Sequence, residues 1–128
     1  MKTILIVEDE RTLNDAYKMI LEAEGYNVLC AYDGEEALEV AEKKEPDLIL
    51  LDLRMPKLNG IDFLKVYAPK EKHPKVKIII FSNLDMQKEI DEGYKLGADR
   101  YMLKAWAAPK ELARLVKATL KEKKSNST

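Results

Sequence analysis

Short apolar runs alternate with stretches of helical spacing along this chain of 128 residues. The apolar runs are residues 4–7, 28–31, 48–51, 78–81 and, more weakly, 100–103. Continuous apolar runs of this length are typical of strands that are covered on both faces. Strands that alternate with helices form a parallel sheet, because right-handed crossovers place the helices on both sides of it. The pattern predicts a doubly wound α/β fold with five parallel strands and five helices.

The segments between the apolar runs carry the apolar stripes and end signals of helices. Asp33, with Glu36 three residues later, predicts the start of the second helix. The third helix should end before Pro69, the fourth should span about residues 86–95, and the fifth should begin at Pro109. The stripe of the first helix consists of Leu13, Ala16, Tyr17, Ile20 and Leu21.

Composition limits the classes of protein that this chain can belong to. With 46% hydrophobic and 35% charged residues, it suits one folded domain, which we expect over residues 1–123, followed by a disordered tail at 124–128. The formal charge of −1 provides no basic field for nucleic acid, and the single Cys30 excludes an internal disulfide. Since no apolar run approaches the length of a membrane span or a signal peptide, we expect a cytoplasmic protein.

Polar residues follow the predicted strands where functional sites of open α/β sheets lie, at the carboxyl ends. Glu8 and Asp9 follow the first strand, Asp52 follows the third, Ser82 follows the fourth and Lys104 follows the fifth. Each acid alone could serve as a turn former or helix cap. Together on one edge they would repel, and an Mg²⁺ ion would offset that repulsion, since Mg²⁺ prefers oxygen ligands. A carboxylate beside Mg²⁺ and an ammonium group suits phosphoryl transfer.

Five segments of the sequence, at residues 4–10, 32–38, 46–52, 55–60 and 97–104, occur in the order found in one known family. Over nearly its whole length the chain resembles the receiver domain of two-component response regulators, the chemotaxis regulator family. The resemblance implies a flavodoxin-like strand order 2-1-3-4-5.

The resemblance also implies roles for the residues at the sheet edge. Asp52 matches the phosphoacceptor, which receives a phosphoryl group from a sensor histidine kinase or a phosphotransfer protein. Glu8 and Asp9 match the acids that bind Mg²⁺ together with Asp52, and the backbone carbonyl of Arg54 matches a further ligand. Lys104 matches the lysine that contacts a phosphoryl oxygen.

A second group of residues matches the family's conformational switch. Ser82 matches the switch hydroxyl, and Tyr101 matches the switch aromatic, unless it is only a half-buried residue of an edge strand. Trp106 lies beside the family's output face, where it could anchor an unknown downstream protein or pack on its own loop. The resemblance leaves open a monomer or a phosphorylation-dependent dimer.

Two departures from the family pattern keep open a receiver-like module that is never phosphorylated. Ala105 stands where the family has a proline joined by a cis bond, which costs about 2.5–4 kcal/mol before other residues. Asn83 stands where the family has a small residue. We interpret the chain as a single-domain response regulator, a phosphoacceptor and not an enzyme. The alternatives are a receiver-like docking module that is never phosphorylated and a small Mg²⁺-dependent phosphohydrolase.

Overall fold

The computed structural model describes residues 1–83 and 87–122, without the side chain of Trp106. The five described strands are β1 (Thr3–Val7), β2 (Asn27–Ala31), β3 (Leu48–Leu51), β4 (Lys77–Ser82) and β5 (Arg100–Leu103). All neighbouring pairs are parallel, and the order across the sheet is β2-β1-β3-β4-β5. This arrangement confirms the predicted fold class and the strand order that the resemblance implied.

Helices lie on both faces of the sheet. They are α1 (Arg11–Ala23), α2 (Gly34–Lys44), α3 (Gly60–Tyr67), α4 (Pro69–Lys72), α5 (Gln87–Lys95) and α6 (Pro109–Lys121), and Lys104–Trp106 form a 3-10 turn. The expected tail at 124–128 and the expected start of the fourth helix near Met86 lie outside the described residues. None of the described helices is long and apolar enough to cross a membrane.

Alternate residues of each strand enter two separate apolar cores, which explains why the strand sequences are continuously apolar. Leu5 and Ile49 pack on one face with α2 and α3, whereas Ile4 and Leu50 pack on the other face with α1 and α6. Fully burying a side chain of this size contributes about 1.5–3 kcal/mol. The two cores hold the carboxyl ends of the strands at one edge of the molecule.

The predicted helix signals agree with the observed ends. The Asp33 side chain accepts the Glu36 N–H at 2.8 Å, so it caps α2, and Pro109 is the first residue of α6. The structure adds the single turn α4, which the sequence analysis did not predict. Ala68 leaves α3 in a left-handed conformation with φ of 49°, and Pro69 then begins a new turn.

Helix α1 differs in detail from the predicted apolar stripe. Ala16 is exposed, while Asn14, which the stripe did not include, is fully buried. Asn14 lies three and seven residues before the buried Tyr17 and Leu21, so it shares their face of the helix. Its amide is hydrogen-bonded at the ends of β1 and β2, which accounts for a polar residue in this position.

Candidate functional site

Neighbouring strands place Glu8 and Asp52 side by side. β1 and β3 pair so that Val7 lies opposite Leu51. Glu8 directly follows Val7, and Asp52 directly follows Leu51. The Asp52 N–H donates to the Val7 carbonyl at 3.1 Å, which continues the strand pairing by one residue. The sheet register therefore fixes the backbones from which both acids extend.

Three carboxylates form a cluster at this edge. One oxygen each from Glu8, Asp9 and Asp52 lies within 4.8 Å of the others. Glu8 and Asp52 are 3% and 6% exposed, and Asp9 is exposed. Two unit charges about 4 Å apart repel by about 4 kcal/mol at an effective dielectric near 20, so the cluster requires positive charge.

Lys104 supplies positive charge from the opposite side of the site. It follows β5, and its ammonium group reaches past the end of β4 to lie 2.7 Å from Asp52 Oδ2. The same ammonium also forms a buried ion pair with Glu8 Oε1. One lysine therefore partly neutralises two of the three acids.

Burial and pairing shift the pKa values of this group. Burial raises the pKa of the Glu8 carboxyl, although the hydrogen bonds from Lys104 and from the Glu10 N–H oppose that effect. Burial alone would lower the pKa of the Lys104 ammonium, but its hydrogen bonds to Asp52 and Glu8 outweigh burial and raise it. The lysine is therefore held in its charged form at neutral pH.

Backbone N–H groups orient the two buried carboxylates. The Glu10 N–H donates to Glu8 Oε2 at 3.0 Å, and the Arg54 N–H donates to Asp52 Oδ1 at 3.1 Å. In each carboxylate, the other oxygen contacts Lys104. The Arg54 side chain is exposed, so this residue reaches the site through its backbone.

Ser82 lies at the same edge of the sheet, and Tyr101 lies within β5. Ser82 ends β4, is 1% exposed and pairs with Leu103, the residue before Lys104. Tyr101 is half-buried and packs against the core that contains α2 and α3. Trp106 belongs to the 3-10 turn, but its predicted contact with a partner falls on a side chain outside the described residues.

The backbone after Lys104 has the trans geometry that a residue other than proline favours, here Ala105. The described residues contain no cis peptide bond, so the bond between Lys104 and Ala105 is trans. The chain continues there into the 3-10 turn, whose Lys104 carbonyl accepts the Ala107 N–H at 3.1 Å. Asn83, the other departure, is exposed.

The chemistry of the cluster fits Mg²⁺. Its three ligand side chains offer carboxylate oxygens, the donors that this cation prefers, and no sulfur or imidazole of the kind that zinc takes. Within the described part of the chain this is the one group of three acidic, histidine or cysteine ligands that are close enough to share an ion. Exposure of Asp9 leaves one side of the cluster open to solvent.

The sequence analysis missed two contributions to this site. The N–H groups of Glu10 and Arg54 have no signature in the sequence, because any residue except proline could provide them. Asn14 did leave a signal: it is a polar residue on the apolar face, one turn before Tyr17. Its amide hydrogen-bonds the Glu8 carbonyl at 3.0 Å, directly behind the acids.

A family model and a curated relative each match most of this chain. A family model described as the response regulator receiver domain matches residues 4–117. The chain is 40% identical over 120 residues to PhoP of Bacillus subtilis, an alkaline phosphatase synthesis transcriptional regulatory protein. That match covers 94% of this chain and 49% of PhoP, so the chain spans about half the length of this curated relative.

Solved structures show the same fold. A receiver domain protein described as CheY-like, from Methanospirillum hungatei, superposes with a TM-score of 0.87 at 31% identity, covering 94% of each chain. The chemotaxis protein CheY4 of Vibrio cholerae superposes with a TM-score of 0.85 at 27% identity, covering 93% of this chain and 98% of CheY4.

Proposed function

Because this chain belongs to the response regulator receiver domain family, we propose that it accepts a phosphoryl group on Asp52 in a magnesium-dependent reaction. One observation carries the proposal: Glu8, Asp9 and Asp52 cluster within 4.8 Å while Lys104 contacts Asp52 from the far side. Receiver domains are phosphoacceptor signalling modules. In this proposal Asp52 is the nucleophile and the Lys104 ammonium balances its charge. Glu8 and Asp9 are the further acids at the same edge of the sheet.

The proposed donor is a phosphohistidine on a sensor kinase or a phosphotransfer protein. One oxygen of the Asp52 carboxylate attacks the phosphorus atom, and a P–O bond forms as the P–N bond breaks. The imidazole nitrogen keeps the electron pair of the broken bond and takes a proton from solvent. The product is an acyl phosphate, which is reactive enough to serve as a temporary signal.

Charge neutralisation is the main task of the surrounding residues. Glu8, Asp9, Asp52 and the Arg54 carbonyl would hold Mg²⁺, which supplies positive charge to the carboxylate and to the phosphoryl oxygens. Lys104 would remain beside Asp52 and bind a phosphoryl oxygen. Its raised pKa supports this role, because a protonated ammonium is required for it.

The proposed signal leaves the site through β4 and β5. Ser82 would hydrogen-bond the phosphoryl group, and Tyr101, which lies opposite Ile80 in the next strand, would change its packing in response. The surface around Tyr101 and Trp106 would then contact a downstream protein, as a monomer or in a phosphorylation-dependent dimer. Support comes from the placement of Ser82 and Lys104 at the ends of neighbouring strands.

The hydrolase alternative gains no support from the surface beside Asp52. A cleft of about 480 Å³ is lined by Leu53, Arg54 and Met55 from the loop after Asp52, and also by Asn59, Ile61, Asp62, Glu89 and Glu92. Its three acids outnumber its one arginine, so we expect it to bind a small phosphomonoester, like acetyl phosphate, only weakly. Multiple turnover of such a substrate would nevertheless favour a hydrolase over a phosphoacceptor.

Intact-mass measurement after treatment with acetyl phosphate and Mg²⁺ tests the proposal. We expect one added phosphoryl group on the wild type and on Asp47→Asn, a matched control at the other end of the sheet. We expect none on Asp52→Asn and none when a chelator removes Mg²⁺. An unmodified wild type would favour the docking-module alternative, and an equally modified Asp52→Asn would refute Asp52 as the acceptor.

A further inference from the structure

A fully buried amide is hydrogen-bonded to the backbone of Glu8, one of the acids of the site. Asn14 in α1 is 0% exposed, and its Nδ2 lies 3.0 Å from the Glu8 carbonyl oxygen and 3.2 Å from that of Ala31. The Ile6 carbonyl oxygen is farther away, at 3.5 Å. Because an amide nitrogen has two N–H groups, its hydrogen bonds go to the two closer carbonyls.

These bonds extend the pairing of β1 and β2 beyond its last residues. Val7 lies opposite Ala31 at the end of the register, and the Glu8 N–H donates to the Ala31 carbonyl at 3.1 Å. The Asn14 amide donates to the Glu8 carbonyl and to the same Ala31 carbonyl, and so links the two. Both backbone polar groups of Glu8 are therefore hydrogen-bonded, one by the sheet and one by α1.

Asn14 also bonds the other end of the turn that carries the acids. Its backbone N–H donates to the Glu10 carbonyl at 2.9 Å. The side chain and the main chain of one residue thus hold the carbonyls of Glu8 and Glu10, on the two sides of Asp9. The Glu10 N–H in turn orients the Glu8 carboxylate at 3.0 Å.

The three nearby carbonyl oxygens determine which way the amide faces. Exchanging its nitrogen and oxygen would place Oδ1 against the acceptors of Ile6, Glu8 and Ala31. The position therefore requires a side chain that donates, and an aspartate of the same shape would be repelled by these carbonyls and by Glu8.

We infer that Asn14 is a positioning residue, which fixes the turn from Glu8 to Glu10 so that the carboxylates of Glu8 and Asp9 converge on a divalent cation. The expected consequence is a higher affinity for Mg²⁺, and this part of the inference rests on the proposed function. Groups that orient metal ligands typically change metal affinity by about 10–100-fold when they are removed.

Two variants separate positioning from general stability. Asn14→Leu keeps the size of the side chain and removes both N–H groups. Thr119→Val removes another polar group that is 0% exposed, whose hydroxyl donates to the Leu115 carbonyl at 2.7 Å within α6. Backbone amide shifts followed during an Mg²⁺ titration give the dissociation constant, and hydrogen exchange of the Glu10 N–H in metal-free protein reports the turn itself.

We expect Asn14→Leu to raise the Mg²⁺ dissociation constant by about 10-fold and to speed exchange at Glu10, with Thr119→Val close to wild type in both. Normal Mg²⁺ binding by both variants would overturn the inference and leave the proposed function intact. A wild type that binds no Mg²⁺ would refute the proposed function instead. Hydrogen exchange of the Glu10 N–H in metal-free protein would still test the inference. Equal exchange rates in Asn14→Leu and Thr119→Val would overturn it.

A measurement on the wild type alone covers the case in which Asn14→Leu does not fold. We expect the Asn14 side-chain amide protons to exchange slowly with solvent, because both are buried and hydrogen-bonded to carbonyls. Exchange as fast as that of an exposed asparagine such as Asn27 would overturn the inference.

Discussion

Both ends of the sheet carry acids beside strands, but these acids have different partners. At the amino end, Asp47 precedes β3 and accepts the Thr3 N–H of β1 at 2.7 Å. Asp99 precedes β5 and accepts the Ile78 N–H of β4 at 2.8 Å in the same way. At the carboxyl end, Glu8, Asp9 and Asp52 converge on one another, and Glu8 and Asp52 also contact Lys104.

The difference shows that a position next to a strand does not by itself make an acid functional. An acid that accepts a backbone N–H from the neighbouring strand stabilises the start of that strand. Acids that face one another repel, which is unfavourable for folding unless a cation is shared. We therefore expect changes at the amino end to lower stability and changes at the carboxyl end to lower phosphoryl acceptance.

The largest expected effect is on the rate of phosphorylation in Lys104→Met. Removing one charge that stabilises a transferring group typically costs about 10²–10³-fold in rate, so we expect a loss of this size with acetyl phosphate and Mg²⁺. Lys2→Met is the matched control, since Lys2 lies 4.0 Å from Asp47 at the other end and is largely exposed. Similar rates in the two variants would remove the distinction between the ends of the sheet.

The next effect is a loss of stability in Asp99→Ala. This change removes the charged acceptor of the Ile78 N–H, and such hydrogen bonds contribute about 1.5–3 kcal/mol to the free energy of unfolding. Urea denaturation should show that loss, while Asp91→Ala, an exposed control in α5, should stay within about 0.5 kcal/mol of wild type. If folded Asp99→Ala lost phosphorylation instead, the amino end would share the function of the carboxyl end.

The smallest effect concerns Mg²⁺ and stability. At ten times its dissociation constant, Mg²⁺ should raise the free energy of unfolding by about 1.4 kcal/mol, because it binds the folded chain. The gain should persist in Asp47→Ala and shrink in Asp9→Asn. Metal-free Asp9→Asn should be at least as stable as wild type, since Asp9 is exposed and the change removes its repulsion of Glu8 and Asp52. Denaturation with and without Mg²⁺ checks this, and an undiminished gain in Asp9→Asn would exclude Asp9 as a ligand.

Much of the fold could be predicted because the strands are buried on both faces and read as continuous apolar runs. Helix ends were also predictable where a cap is encoded locally, as with Asp33 and Glu36. The single turn α4 was not, since Pro69 was interpreted only as the end of a helix, although proline equally favours a first turn. The prediction of the buried face of α1 was partly wrong. Asn14 belongs to that face because its amide is hydrogen-bonded at the ends of β1 and β2.

The candidate site could be predicted as a set of residues, but not as an arrangement. Position at strand ends brought Glu8, Asp9, Asp52 and Lys104 into consideration, and the structure places them together. Their proposed roles stay predictions. The sequence could not indicate that Lys104 contacts two acids at once, nor that backbone N–H groups orient the carboxylates, because both depend on distances between four strands.

Reductive trapping tests the central claim most directly. Borohydride converts an acyl phosphate of aspartate into homoserine, which peptide mapping locates in the chain. After treatment with acetyl phosphate and Mg²⁺, we expect homoserine at position 52 and unmodified aspartate at positions 9, 47 and 99, and no homoserine when a chelator is present. Homoserine at another aspartate, or at position 52 without Mg²⁺, would contradict the account.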